Sequence, residues 1–287
     1  MILSRKASPA NLMRRGIRPY LLGYVLNFCR YGFYALVEGI LSGAFVPETL
    51  EALFGPDILQ FAGLALAFTG VLRQLGLREG HILAVGVTLS AIGGALPACG
   101  TGSFALDWLL GHLVVTTREA SCFAFCNWYL FVAAGMAFGA AVTKVRERDR
   151  LYTRLGIVSG CIMVAYLVAT SAFGIMFMCR ERNYYAVSPP EAVGLLSIDL
   201  TLLAAFRHLA GAIDATRLRI PLEISRNLTA IYVIHWCILG FTDSIFCYLL
   251  DVTFSWLAIY GTGAALIVAS FLLARLARAR AAERVRV

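Results

Sequence analysis

The run from Leu228 to Leu250, LTAIYVIHWCILGFTDSIFCYLL, carries one formal charge, Asp243, in 23 residues. A hydrocarbon core about 30 Å thick is crossed by about 20 mostly apolar helical residues, and only a helix or a closed barrel satisfies its own backbone there. The run is therefore read as a membrane-spanning helix.

Working outward, the same criterion gives seven more spans: Ile17 to Gly43, Ile58 to Leu72, Ile82 to Leu96, Phe123 to Val142, Leu155 to Met178, Ala192 to Leu209 and Thr253 to Ala274. The second and third are short, at the lower limit of spanning length. The fold class expected is all-α, a polytopic membrane helix bundle of about eight transmembrane helices. Composition agrees: 60% of the 287 residues are hydrophobic and 15% charged, with a mean hydropathy of +0.76. Soluble domains hold about 25% charged residues, so a soluble enzyme is excluded. No stretch is low in complexity, which removes disordered and fibrous classes.

The loops orient the bundle, because Lys and Arg are retained on the cytoplasmic side. With alternate loops assigned to opposite sides, every Lys and Arg except Arg30, Arg118, Arg180 and Arg182 falls on the side of the N-terminus. Both termini are expected in the cytoplasm, which requires an even number of crossings. The formal charge of +8 is then an orientation signal. The lipid bilayer is the expected partner, with no nucleic acid, and the location is the cytoplasmic (inner) membrane. Met1-Ile2-Leu3 runs straight into Ser4-Arg5-Lys6, which leaves no apolar core for a cleavable signal peptide. In the long loop from Pro97 to Cys122, Phe104 to Val115 is apolar but too short to cross. It reads as a re-entrant or interfacial helix on the non-cytoplasmic side.

Asp57 with Gln60, and Ser188 with Glu191 after Pro189, read as helix caps with reciprocal partners. Eight cysteines (29, 99, 122, 126, 161, 179, 237 and 247) lie mostly in apolar runs with no CxxC pair. Cys122 and Cys126 are one turn apart without further His or Cys nearby, so no metal site is expected. Cys99, Cys122 and Cys179 fall towards the outer face and can pair if that side is oxidising.

Ionisable groups at bilayer depth cost several kcal/mol and are functional candidates by default. Five are embedded: Arg30, Glu38, Asp199, His235 and Asp243. In the first span Tyr20, Tyr24, Asn27, Tyr31, Tyr34 and Glu38 recur at intervals of three or four, on one stripe with Arg30 beside it. Either this stripe faces a wet site, or Arg30 and Glu38 snorkel to opposite interfaces and the tyrosines only pack. In the Leu228 to Leu250 run, Thr229, Tyr232, His235 or Trp236, Leu239 and Asp243 recur on a helical face. His235 can serve as a general base, a proton relay or an interhelical link. Three carboxylates against one embedded arginine leave the charges unbalanced within the chain. Gly93-Gly94 and the Gly135/Gly139 pair read as close helix packing. No Walker loop, GxGxxG, HExxH or GxSxG motif is present.

The run Ser225-Arg226-Asn227-Leu228-Thr229-Ala230-Ile231-Tyr232-Val233-Ile234-His235-Trp236 resembles a helix of bacterial integral-membrane acyltransferases. Further stretches share the likeness: Ser4-Arg5-Lys6 and Arg14-Arg15-Gly16 through Leu21 to Phe28; Asp57 to Gly63; Phe123 to Tyr129, leading to Ala134-Gly135-Met136 and Gly139; and Tyr184-Tyr185 before Ser188-Pro189. Together they resemble the acyltransferase-three superfamily and its relatives of the heparan-alpha-glucosaminide N-acetyltransferase type.

The resemblance implies one transmembrane domain over residues 1–287 that transfers an acyl group, usually acetyl. The donor would be acyl-CoA (acetyl-CoA) and the acceptor a carbohydrate or other cell-envelope molecule. Within that reading the embedded ionisable residues His235, Asp243, Arg30 and Glu38 are the candidate catalytic set. Substrate- and cofactor-binding residues would be Arg226, Asn227, Tyr232, Trp236, Asn127, Trp128, Asp199 and Arg15, with Arg226 and Arg15 on the CoA phosphates. Family members begin with about two further hydrophobic helices, one bearing the histidine to which catalysis is assigned. Here the likeness starts at Ser4, so the domain is expected to be N-terminally incomplete, and His235 sits on a different family helix. A transporter or flippase using Glu38, Asp199, His235 and Asp243, or a non-catalytic partner subunit of the same fold, is the alternative function. A homo-oligomer is compatible with either.

Overall fold

A computed structural model of the chain describes residues 8–43, 47–98, 100–116, 122–172, 186–214, 216–250 and 255–284. Among them the regular elements are helices, with no strand. In chain order these are α1 (Pro9–Asn27), a π-helical turn (Phe28–Gly32), α2 (Phe33–Ser42), α3 (Pro47–Phe54), α4 (Ile58–Gln74), α5 (Glu79–Ala95), α6 (Phe104–Gly111), α7 (Phe125–Lys144), α8 (Arg148–Ala172), α9 (Pro189–Ala212), α10 (Arg219–Arg226), α11 (Leu228–Thr242), a second π-helical turn (Asp243–Leu249) and α12 (Trp256–Arg284).

Six segments among the described residues are long and apolar enough to cross a membrane: Glu51–Gln74, Phe125–Lys144, Arg148–Ala172, Pro189–Ala212, Leu228–Phe246 and Ala258–Arg280. The chain is a multi-pass membrane protein of helices. These six overlap the second and the fourth to eighth spans expected from sequence. The third span is the shorter apolar helix α5. The first, Ile17 to Gly43, is carried by α1, the first π turn and α2 and is not among the six. The charged and tyrosine-rich stripe that drew attention to it also dilutes its apolar character.

Contacts divide the chain into two compact units. The first comprises residues 1–23 and 55–212. Pro9 opens α1 in the first turn, where its missing N–H costs nothing, and the Ser8 hydroxyl accepts from the Asn11 N–H at 3.3 Å. α1 crosses α4 at a glycine pair: a Cβ on Gly16 or on Gly63 would meet the other's carbonyl oxygen. α4 starts on the expected cap, with the Ile58 N–H donating to Asp57 Oδ1 at 2.7 Å and the Asp57 N–H to Gln60 Oε1 at 3.1 Å. α9 likewise starts on Ser188, whose N–H and hydroxyl donate to Glu191 Oε2 at 2.8 and 2.7 Å.

The core of this unit lies where α4 and α5 pack on α7. Ala65, Leu72, Ile82, Phe125, Tyr129, Ala133 and Met136 are buried together. Phe68 meets Phe125 and Tyr129 edge-on at 5.1 Å, and the Tyr129 and Thr69 hydroxyls share a hydrogen bond of 3.0 Å. The expected close packing at Gly93-Gly94 is present: a Cβ on Gly93 would lie 2.7 Å from Asn127 Oδ1, and one on Gly94 would strike the Pro189 ring. α8 and α9 pair through a 2.9 Å hydrogen bond between Ser159 and Thr201. The reading of Phe104 to Val115 becomes α6, with Asp107 buried and accepting from the Thr101 N–H and hydroxyl at 2.6 and 2.7 Å.

The second unit comprises residues 24–54 and 213–287. Here α11 runs along α12 and packs on the first π turn. Cys29 and Cys237 of this unit, and Cys126 and Cys161 of the first, are free thiols among the described residues. Cys99 and Cys179, of the outer set, lie outside the described residues, as do Arg118, Arg180, Arg182 and Tyr184-Tyr185.

Candidate functional site

The residues that gather in the second unit are held by the irregular middle of the first helix. A π turn inserts one extra residue into the i to i−4 ladder and rotates the next turns of the helix, a distortion common at functional positions. Phe28–Gly32 is such a turn, and Arg30 sits within it. α11 approaches this turn at Gly240, where an added Cβ would lie 2.7 Å from both the Cα and the carbonyl oxygen of Arg30. Only a residue without a side chain permits that approach.

The approach brings the Arg30 guanidinium over the Trp236 ring, 3.6 Å from its centroid, and 4.7 Å from that of Tyr31. A cation over an indole face is the best of the aromatic pairings, about 2 kcal/mol or more once desolvated. The Trp236 Nε1–H is buried with no hydrogen-bond acceptor among the described residues. A buried donor left unmade costs about 1–3 kcal/mol.

His235 is half-buried, 5.1 Å from the Trp236 ring and 5.4 Å from that of Tyr232. Its Nδ1 lies 3.2 Å from the Ile231 carbonyl oxygen, which can only accept, so the ring donates from Nδ1 and presents Nε2 as its acceptor. Glu38 is buried nearby in chain terms, one helix on, and accepts from the Thr49 hydroxyl at 2.8 Å. Asn27 is buried and donates to the Leu53 carbonyl at 3.3 Å.

Asp243 opens the second π turn and is exposed. Asp199 belongs to the first unit, exposed on α9, while its neighbours Ser197 and Thr201 are tied to Gly194, Ser197 and Ser159 oxygens. Asn127 and Trp128 also belong to the first unit. Asn127 is buried and donates to the Val187 carbonyl at 3.0 Å, with no donor to its Oδ1 among the described residues, and Trp128 packs on Phe123 and Phe131. Arg15 is exposed on α1. Of the residues singled out in sequence, Arg30, Tyr232, His235 and Trp236 come together, with Arg226 and Asn227 at the other end of α11.

One further cluster in this unit was not anticipated. Arg219, Glu223, Arg226, Asn227, Arg275, Arg278 and Ala279 line an open cavity of about 430 Å³. In sequence Arg275 and Arg278 carried only the orientation signal; their relation to Arg219 and Arg226 becomes readable once the Glu223–Arg275 ion pair joins α10 to α12.

Comparison of the chain with family models, with curated proteins and with solved structures finds no match in any of the three.

Proposed function

We propose that the chain is a membrane-embedded acyltransferase of the cytoplasmic membrane that moves an acyl group, acetyl in the simplest case, from acyl-CoA to a hydroxyl or amine of a carbohydrate or other cell-envelope acceptor. This reading adds the first helix and α5 to the six spans and keeps both termini in the cytoplasm. The observation that carries it is the Arg30–Trp236 contact. It sets a guanidinium on the indole of Trp236, whose N–H has no acceptor among the described residues, next to His235, and both of these residues lie in the Ser225 to Trp236 stretch that resembles the acyltransferases. A cation kept inside a span is costly and belongs where it acts.

In this reaction His235 Nε2 takes the proton of the acceptor hydroxyl while its oxygen attacks the thioester carbonyl. The Trp236 N–H and the Arg30 cation stabilise the oxyanion as it forms. The C–S bond then breaks, and His235 returns its proton to the departing CoA sulfur. General-base assistance contributes about 10²- to 10⁴-fold. The test is release of CoA thiol from acetyl-CoA by membranes carrying the chain, expected to fall at least 100-fold in His235→Ala. Equal release from that variant would make His235 a packing residue and overturn its role.

A further inference from the structure

α10 divides sharply into two faces. Arg219, Glu223 and Arg226, spaced i, i+4 and i+7, line the four-arginine cavity, which Arg275, Arg278 and Ala279 close from α12. Ile220, Ile224 and Leu228 run along a different face of the same stretch and are 61%, 38% and 62% exposed. Leu272, Leu273 and Leu276 of α12, beside the cavity arginines in sequence, are 48%, 46% and 57% exposed. In a membrane protein, a short helix with bare aliphatic residues on one side and arginines on the other lies in the interface, with the aliphatic side in the acyl chains.

The cavity is built rather than a chance array of exposed cations. Asn227, 7% exposed, donates from Nδ2 to the Glu223 carbonyl at 2.8 Å and accepts from Arg278 Nη1 at 3.3 Å. Glu223 accepts from Arg275 Nε at 3.1 Å. Four guanidinium groups thus line one cavity whose only carboxylate is already engaged, an arrangement that an anion would stabilise. Guanidinium forks match phosphate oxygens in pairs. Basic pockets beside membrane helices at the positively biased end hold acidic lipid headgroups.

We propose that this cavity is a phosphate site occupied by the headgroup of an anionic phospholipid, whose acyl chains lie along Ile220, Ile224 and Leu228. The site is separate from the acyl-transfer centre and stands without it. It reassigns Arg226, which the family likeness gave to the CoA phosphates, because the aliphatic border places the phosphate at the level of the lipid headgroups.

The test is binding of phosphatidylglycerol to the detergent-solubilised full chain by native mass spectrometry, with phosphatidylcholine as reference. An arginine near an anionic surface is worth about 1 kcal/mol, a factor of about five. Arg226→Gln with Arg278→Gln is therefore expected to weaken phosphatidylglycerol binding about 25-fold. Arg217→Gln with Arg280→Gln, which removes the same charge nearby without touching the lining, is expected to change it less than threefold. Arg226→Lys with Arg278→Lys, which keeps the charges, is expected to retain most of the binding. Equal losses in the two glutamine pairs would reduce the cavity to diffuse interfacial attraction and overturn the proposal. Displacement of the lipid by micromolar adenosine 3′,5′-bisphosphate, a soluble phosphate ester, would overturn the lipid as its source.

Discussion

The carbonyl and Cα of Arg30 lie where a Cβ on Gly240 would have to be, 2.7 Å away. Gly240 is thus the position at which α11 and the first π turn touch backbone to backbone, and the contact holds Arg30 over Trp236. Gly240→Ala is expected to destabilise the second unit by about 1–3 kcal/mol, because neither atom can move without shifting a helix. Gly263→Ala on α12, where an added Cβ would meet nothing within 4 Å among the described residues, is the control and is expected to be neutral or to stabilise by up to about 1 kcal/mol. Unfolding of the two variants in one detergent, followed by circular dichroism, checks the difference.

Trp236→Phe keeps an aromatic face under Arg30 and removes the indole N–H. Its stability is expected to stay within about 1 kcal/mol of the parent, since the cation retains a ring. If the N–H serves the oxyanion, kcat falls about 10²- to 10³-fold with little change in KM, the loss typical of one removed donor. A stable variant of unchanged kcat would leave Trp236 as a platform for Arg30 alone.

The Asp57 cap is expected to contribute about 1 kcal/mol to the first unit. Asp57→Ala removes the acceptor of the Ile58 N–H and leaves only the backbone N–H of residue 57 donating to Gln60 Oε1, whereas Asp57→Asn keeps an oxygen in place. Thermal unfolding should rank Asn well above Ala.

His112 lies outside the spans, at the end of α6. Burial pushes its pKa below the usual 6.5, against a smaller raising effect of the Trp108 carbonyl, to which Nδ1 donates at 2.9 Å. Nε2 then accepts from the Tyr20 hydroxyl at 3.3 Å, an arrangement that needs the neutral ring. A histidine whose folded pKa is depressed makes its contribution in full above the unfolded value. That contribution is lost as pH falls below about 6.5 towards the folded value, since the unfolded chain takes up the proton first. The first unit should lose stability as pH falls below about 6.5, and His112→Gln should flatten that slope. Unfolding temperature against pH for the two proteins checks it.

The helices that the sequence made legible are those whose signals are local. Asp57/Gln60 and Ser188/Glu191 announce their caps within four residues, and six spans stand out because each holds a long stretch of high mean hydropathy with few charges. The first span, Ile17 to Gly43, is also read from sequence, but Arg30, Glu38 and the tyrosines weaken its hydropathy and it is not among the six. Its π turn has no sequence signature at all. The pairing of Arg30 with Trp236 joins positions far apart in the chain, and nothing but the fold brings them together. Asp199 and Asp243 show the converse. Both satisfied the rule that embedded carboxylates are functional candidates, yet both side chains are exposed, with Asp199 in the other unit. The four-arginine cavity was half visible: Arg226 and Asn227 drew notice through the family likeness, whereas Arg275 and Arg278 counted only among the charges that orient the bundle.

The measurement that bears most directly on the acyltransferase account is transfer of radiolabel from carboxyl-labelled acetyl-CoA into the carbohydrate fraction of envelope membranes bearing the full-length protein. The account predicts label in that fraction with the parent chain and its loss, by about two orders of magnitude, with His235→Ala or Arg30→Gln inserted at equal level. Label at background with the parent chain, or undiminished in both variants, would contradict it.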